Sequence, residues 1–180
     1  MILTSEVTSM RGTLIKSGVF ILVLTGGLYL TKYAYDHHTN RVKVRDTIQQ
    51  ISIEHGIPPW IPLSIAFHES KFDRNAIGDQ GTSFGLFQLH RGGLAPKDLT
   101  NEDLKNAETN TRIAISNMIN AYNRGLQQNL KGPELLKYVA NTSGWPGNKG
   151  VQWTNKQTDY NEGLENSFKM FSKRQYDFIE

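Results

Sequence analysis

The chain has 180 residues, enough for one domain of ordinary size and a short additional segment. It contains no cysteine, which excludes disulfide bonds and thiolate metal sites. Lysine and arginine exceed aspartate and glutamate by only 20 to 17, and no basic run alternates with aromatic residues, so the charge does not indicate a nucleic-acid-binding protein.

The first predicted element is an apolar segment near the amino terminus. Residues 1–13 form a short, mostly polar tail, and residues 18–30 carry no charged side chain. If Lys16 and Lys32 extend to the lipid headgroups, residues 14–35 supply enough length for a membrane-spanning helix, which needs about 20 residues. We therefore predict a single transmembrane anchor at residues 14–35. A cleaved signal peptide is the alternative, although no small-residue cleavage site follows the apolar run.

A polar connector at residues 36–40 separates this anchor from a domain at residues 41–180. The connector's two adjacent histidines have no carboxylate close in sequence, so we interpret them as solvated residues and predict no metal site. The next pattern predicts a helix that ends near Gly56, with apolar residues at i, i+4 and i+7, namely Val44, Ile48 and Ile51. The proline-rich residues 57–62 form a stiff connector to the following helix.

The main candidate for catalysis lies in residues 61–89. Ile61, Ile65 and Phe72 place an apolar stripe on one face of a predicted helix, and Glu69 falls on that stripe. Burial would raise the pKa of Glu69, so that the carboxyl could hold a proton near neutral pH and act as a general acid. The alternative is that Glu69 turns to the helix edge and is simply solvated.

Residues 75–85 are rich in glycine and small polar residues, which is typical of turns, and a Gly-Leu-Phe-Gln sequence follows at residues 85–88. The order Glu-Ser-x-Phe, glycine-containing loop and Gly-Leu-aromatic-Gln resembles the core motif of the soluble lytic transglycosylase (SLT) family, which is related to goose-type lysozyme. Phe87 stands where that family usually has Met. The matching residues are Glu69, Ser70, Phe72, Ala76, Gly81, Gly85, Leu86 and Gln88.

The resemblance implies a mainly α-helical, lysozyme-like domain with a small hairpin or irregular element around residues 77–87. It also implies cleavage of the β-1,4 bond between N-acetylmuramic acid and N-acetylglucosamine in peptidoglycan, with a 1,6-anhydro product and without metal or cofactor. Glu69 would act first as acid and then as base. The substrate-binding residues expected from the resemblance are Ser70, Ser83, Gly85, Phe87, Gln88, Tyr138 and Asn141.

Three further helical segments follow. Thr100 and Asp103 resemble a capping box that opens a helical region running to about Arg124. Within that region Asn110 looks like the asparagine that precedes an apolar helix in the family. A short helix is predicted at residues 133–139, and a last helix that packs back on the domain at residues 158–171.

The family's late motif, Ala-Tyr-Asn-x-Gly, is only partly present. Asn141 matches, but Ala140 stands where the tyrosine would be, and Gly144 comes one residue late. Tyr138 and Trp145 are the candidates for the missing aromatic ring.

Two other functions remain open. A muramidase that hydrolyses the same bond would need a second carboxylate to activate water, and Asp79 is the candidate; otherwise Asp79 is an Asx-turn residue that shapes the loop. A wall-binding structural component without catalytic activity is the other alternative.

The expected partners are peptidoglycan glycan strands and a lipid membrane bound through residues 14–35. A larger envelope, secretion or phage-particle assembly is also consistent with the short anchored chain. We expect a single-pass membrane protein whose enzyme domain faces the wall of a bacterial envelope, with a bacteriophage virion membrane as the alternative. Basic residues near a membrane span tend to stay on the cytoplasmic side. Two precede the apolar run and four follow it, which slightly favours a cytoplasmic location for the enzyme domain, the opposite of the orientation expected from the resemblance. These residues are Arg11, Lys16, Lys32, Arg41, Lys43 and Arg45.

Overall fold

The computed structural model of the chain describes residues 36, 38–145 and 154–172, with side chains at 154–158 left outside the description. The chain divides into two units, residues 1–42 and 43–180. The predicted tail and transmembrane anchor at residues 1–35 lie outside the described residues. No described helix is both long enough and apolar enough to cross a membrane.

The described residues are mainly helical, as predicted. A first helix, α1, includes residues 38–54. The remaining elements in chain order are α2 (Trp60–Ser70), β1 (Ile77–Gly78), β2 (Ser83–Phe84), β3 (Leu89–His90), α3 (Asn101–Lys105), α4 (Ala107–Gln127), α5 (Gly132–Thr142) and α6 (Thr154–Phe171).

The small β element predicted around residues 77–87 is present and has a third strand. The strands are antiparallel in the order β1-β2-β3, with Ile77 opposite Phe84 and Ser83 opposite His90. A single 3₁₀ turn, Asp79–Gly81, joins β1 to β2. The hairpin therefore carries Asp79 at its tip and leads directly into the Gly-Leu-Phe-Gln turn.

Helix α2 differs from the prediction in two respects. It begins at Trp60, inside the predicted connector, and it ends at Ser70, so the prediction that Phe72 continues its apolar stripe is wrong. Lys71 and Phe72 both take left-handed backbone angles, with φ of 55° and 63°, which a right-handed helix cannot accommodate. The Phe72 side chain is nevertheless buried in the core, where its ring centroid lies 5.5 Å from that of Phe67 and 5.6 Å from that of Phe171.

The predicted helical region at residues 100–124 is two helices. The capping box is confirmed: the Thr100 Oγ1 accepts from the Asp103 N–H at 3.1 Å, and Asp103 Oδ2 accepts from the Thr100 N–H at 2.8 Å. Asn106 then adopts an extended backbone and caps α4 by accepting from the Thr109 N–H at 3.0 Å. This break starts α4 in a new direction and places Asn110 in its first turn.

Helix α6 packs against α2 and closes the fold. Its aromatic residues meet those of α2 edge to face: the Trp60 and Phe168 ring centroids are 5.2 Å apart, and those of Phe67 and Phe171 are 5.7 Å apart. The last helix, predicted at residues 158–171, thus packs back on the domain as expected and starts four residues earlier, at Thr154.

Candidate active site

Glu69 lies in the last turn of α2, where it is part-buried beneath α6. The Tyr160 hydroxyl on α6 donates a hydrogen bond to Glu69 Oε1 at 2.9 Å. Burial raises the pKa of Glu69 to about 7; the Tyr160 hydrogen bond opposes this rise, and the negative charge of Asp79 adds to it. Glu69 can therefore hold a proton at neutral pH and release it with little free-energy change.

Tyr160 is the site residue that sequence reasoning missed. It falls in the last predicted helix, whose expected role is packing, and it lies 91 residues after the glutamate that it contacts. Burial, with the nearby Glu69, raises the pKa of Tyr160 well above its ordinary value, so the hydroxyl stays protonated and acts as a donor. The sequence did contain one signal. The late motif has Ala140 where the family has tyrosine, which indicates that an aromatic residue from another part of the chain takes that role.

The Gly-Leu-Phe-Gln turn is held in place by a buried asparagine. The Asn110 Oδ1 accepts from the Phe87 N–H at 2.9 Å, and its Nδ2 donates to the carbonyls of Phe84 at 3.0 Å and Leu104 at 2.6 Å. Gly85 has φ of 77°, and a Cβ there would overlap both the Leu104 carbonyl and the Asn110 amide. Only glycine fits that position, and Asn110 connects the turn to α4.

Ser70 and Gln88 use their polar groups to hold the backbone around the turn. The Ser70 hydroxyl donates to the Leu86 carbonyl at 2.9 Å, which ties the end of α2 to the turn. The Gln88 Nε2 donates to the carbonyls of Gly85 at 2.9 Å and Ala76 at 3.2 Å. Both residues are predicted to bind substrate; in the structure their side chains hydrogen-bond the backbone of the turn and of its flanking segment, and Ser70 directly follows Glu69.

Phe87 and Trp145 belong to the core. Phe87 has no exposed surface, and its carbonyl accepts from Trp145 Nε1 at 2.7 Å. The predicted contact of the Phe87 ring with substrate would therefore require the core to open, which close packing disfavours.

Tyr138 and Asn141 lie on α5, in its second half. The Tyr138 hydroxyl accepts from Gln128 Nε2 at 2.9 Å, which directs it toward the end of α4. Asn141 Nδ2 donates to Asn161 Oδ1 on α6 at 3.3 Å. Within the described residues, the tyrosine that hydrogen-bonds Glu69 is Tyr160. It directly precedes Asn161, the residue to which Asn141 donates.

Asp79 sits at the hairpin tip with an exposed side chain. Its Oδ2 accepts from the buried Ser83 hydroxyl at 2.5 Å, and His90 Nδ1 lies 3.8 Å from the same oxygen. The His90 Nδ1 is also 3.2 Å from Ser83 Oγ. Ser83, predicted as a substrate contact, thus positions the candidate second carboxylate, and His90 is a neighbour that the sequence did not indicate.

The residues at this site offer no metal-binding constellation. Among residues 36, 38–145 and 154–172, no three histidine, aspartate or glutamate side chains come together in a way that could hold a metal ion. The chemistry that the described groups can perform is proton transfer at Glu69, assisted by Tyr160 and adjusted by the charge on Asp79.

Comparison with known proteins gives one match. The family model described as the transglycosylase SLT domain matches residues 46–175, which include α2, the hairpin, Asn110 and Tyr160. Comparisons with curated proteins and with solved structures gave no match.

Proposed function

Because this chain belongs to the transglycosylase SLT domain family, which acts on peptidoglycan, we propose that it is a lytic transglycosylase. It would cleave the β-1,4 bond between N-acetylmuramic acid and N-acetylglucosamine and open the cell wall locally. The observation that carries this proposal is the part-buried Glu69, whose pKa is raised to about 7 and whose Oε1 accepts the Tyr160 hydrogen bond.

In the first step Glu69 donates its proton to the glycosidic oxygen as the bond from that oxygen to the anomeric carbon breaks. An oxocarbenium-like centre develops at that carbon, and the acetamido group of the substrate can stabilise it. Glu69 becomes a carboxylate, and the Tyr160 hydroxyl then donates to a charged acceptor, which strengthens that hydrogen bond.

In the second step the Glu69 carboxylate takes the proton of the O6 hydroxyl of N-acetylmuramic acid, and O6 bonds to the anomeric carbon. This closes the 1,6-anhydro ring and returns Glu69 to its protonated form, so no water is consumed. A pKa near 7 suits a group that must give and take a proton in turn. One carboxyl is sufficient, and neither a metal nor a cofactor takes part.

A muramidase is the second candidate, and one observation favours it. The negative charge of Asp79 is close enough to raise the pKa of Glu69, which is the relation expected of two carboxyl groups that flank a scissile bond. Ser83 holds the Asp79 carboxylate and His90 lies beside it, so a water molecule could be activated there.

The products of digestion decide between these two enzymes. We expect mass spectrometry of peptidoglycan digested by this chain to show 1,6-anhydro ends, lighter than reducing ends by one water. We expect Asp79→Asn to remain largely active, because Asn can still accept the Ser83 hydrogen bond. Asp98→Asn, which neutralises another exposed carboxylate, is the matched control.

Reducing ends in the digest of the unmodified chain, together with loss of cleavage in Asp79→Asn alone, would establish the muramidase instead. Zymography on purified wall addresses the remaining class of function, since a wall-binding structural component would leave no cleared zone.

We further propose that residues 14–35 anchor the enzyme domain in a membrane, facing the wall. Support comes from the sequence pattern: residues 18–30 carry no charged side chain, Lys16 and Lys32 flank them, and the helical periodicity of the domain begins only after Arg41. A fragment that begins at Thr39 is therefore expected to stay soluble without detergent and to clear purified wall at the rate of the full chain.

Size-exclusion chromatography and circular dichroism check the first expectation, with the full chain in detergent as the reference. A fragment that aggregates or lacks helical signal would show that the apolar segment belongs to the domain core rather than to an anchor.

A further inference from the structure

Helix α6 contains a glycine that lies directly against the residue preceding the candidate acid. A Cβ on Gly163 would overlap His68 Cε1 and lie 2.5 Å from His68 Nδ1, so the imidazole ring rests on the bare backbone of α6. Glycine inside a helix is unfavourable for helix formation. Its presence here therefore indicates that the close approach of His68 matters to the fold or to the site.

The same imidazole contacts Tyr160. The two ring centroids are 4.6 Å apart and the planes cross at 83°, an edge-to-face arrangement. Tyr160 and Gly163 are three residues apart on α6 and share one face of it. His68 thus fills the notch between the Tyr160 ring and the Gly163 backbone.

We infer that His68 is a positioning residue: its ring holds Tyr160 so that the hydroxyl remains on Glu69. The contacts form one chain, from the Gly163 backbone through the His68 and Tyr160 rings to Glu69 Oε1. The inference rests on the proposed function in that Glu69 must be the proton donor for this arrangement to affect catalysis.

A neutral histidine suits this position. Burial, with the positive charge of Lys71, lowers the pKa of His68, so the ring carries no charge near neutral pH. A charged imidazolium beside Glu69 would favour the carboxylate and weaken the acid. The groups that act on the Glu69 proton are then Tyr160, Asp79 and Lys71, of which Tyr160 has the largest effect after burial.

The experiment measures the Glu69 pKa directly, by ¹³C NMR titration of side-chain carboxyls in the full chain without substrate. The Glu69 signal is identified by its loss in Glu69→Gln. Tyr160→Phe removes the hydrogen bond that stabilises the carboxylate, and we expect the Glu69 pKa to rise by about one pKa unit. His68→Leu keeps the volume but removes the edge-to-face contact, and we expect a rise of similar size.

The double variant makes the test specific. If His68 acts through Tyr160, adding His68→Leu to Tyr160→Phe should raise the Glu69 pKa no further. Additive rises would show that His68 acts on Glu69 independently of Tyr160. If the Glu69 pKa does not rise in His68→Leu, or falls toward the ordinary glutamate value, His68 only fills space or excludes water. Both of these results overturn the inference.

Gly163→Ala provides a second route to the same contact, and it also serves if His68→Leu does not fold. Its methyl group must displace the His68 ring, while alanine favours the helix that carries it. We expect the same rise in the Glu69 pKa, and an unchanged value would contradict the inference. Tyr122→Phe, on α4, is the matched control that should leave the titration as it is.

Failure of the inference and failure of the proposed function are distinguishable here. A chain that does not cleave peptidoglycan would end the proposed function, although the titration would still show whether His68 positions Tyr160. A chain that cleaves it while His68→Leu and Gly163→Ala leave the Glu69 pKa unchanged would end only the inference.

Discussion

Replacing Glu69 with glutamine is expected to slow the clearing of purified cell wall by about two or more orders of magnitude while leaving the fold intact. Glutamine keeps the shape of the side chain, and its carbonyl oxygen can still accept the Tyr160 hydrogen bond. It has no acidic proton to transfer to the glycosidic oxygen and no basic oxygen to take the O6 proton. Both proposed steps therefore lose their catalyst.

The control for this variant is Glu134→Gln, at an exposed position in the first turn of α5. It makes the same chemical change away from the site and should clear wall at the normal rate. Circular dichroism of both variants confirms that the fold is retained. A Glu69→Gln variant that clears wall as fast as the control would end the assignment of Glu69 as the acid.

The raised pKa of Glu69 also predicts a pH dependence. The glutamate pKa is 4.5 in the unfolded chain and about 7 in the fold, so the folded state holds the proton over that interval while the unfolded state releases it. The contribution of Glu69 to stability is therefore fully present below pH 4.5 and is lost as the pH rises through 7. Glu69→Gln should be more stable than the unmodified chain at pH 8, by on the order of 3 kcal/mol, and similar at pH 4. Cleavage should fall above pH 7 as the acid ionises.

The second large effect is expected at Asn110. Asn110→Leu keeps a side chain of similar shape but leaves three buried backbone groups without their partner: the Phe87 N–H and the carbonyls of Phe84 and Leu104. Each buried polar group left unpaired costs about 1–3 kcal/mol, so the free energy of unfolding should fall by roughly 3–5 kcal/mol. Cleavage should fall too, because the turn that is bonded to Ser70, the residue after Glu69, loses its attachment to α4.

Asn117→Leu is the matched control, an exposed asparagine on the same helix whose Nδ2 donates only to the Ile113 carbonyl in the described structure. Its effect on the free energy of unfolding should stay within about 0.5 kcal/mol. Urea denaturation measures both variants. Equal midpoints for Asn110→Leu and Asn117→Leu would mean that the turn holds its shape without the buried amide.

Part of this result was available from the sequence. The family, the mainly helical fold, the capping box at Thr100 and the candidate acid Glu69 all follow from patterns confined to short stretches of chain. Helix caps, turn residues and the spacing from Glu69 to Gln88 are local, because each depends on backbone angles and hydrogen bonds between residues close in sequence.

The tertiary structure decided the environment of the acid. A pKa depends on burial and on the groups that face the carboxyl, and these come from distant parts of the chain: Tyr160 contacts Glu69 across 91 residues. The same holds for Asn110, which reaches Phe87 across 23 residues, and for the Gly163 backbone on which His68 rests. No local pattern encodes these contacts, because they exist only once α4 and α6 have packed against α2 and the turn.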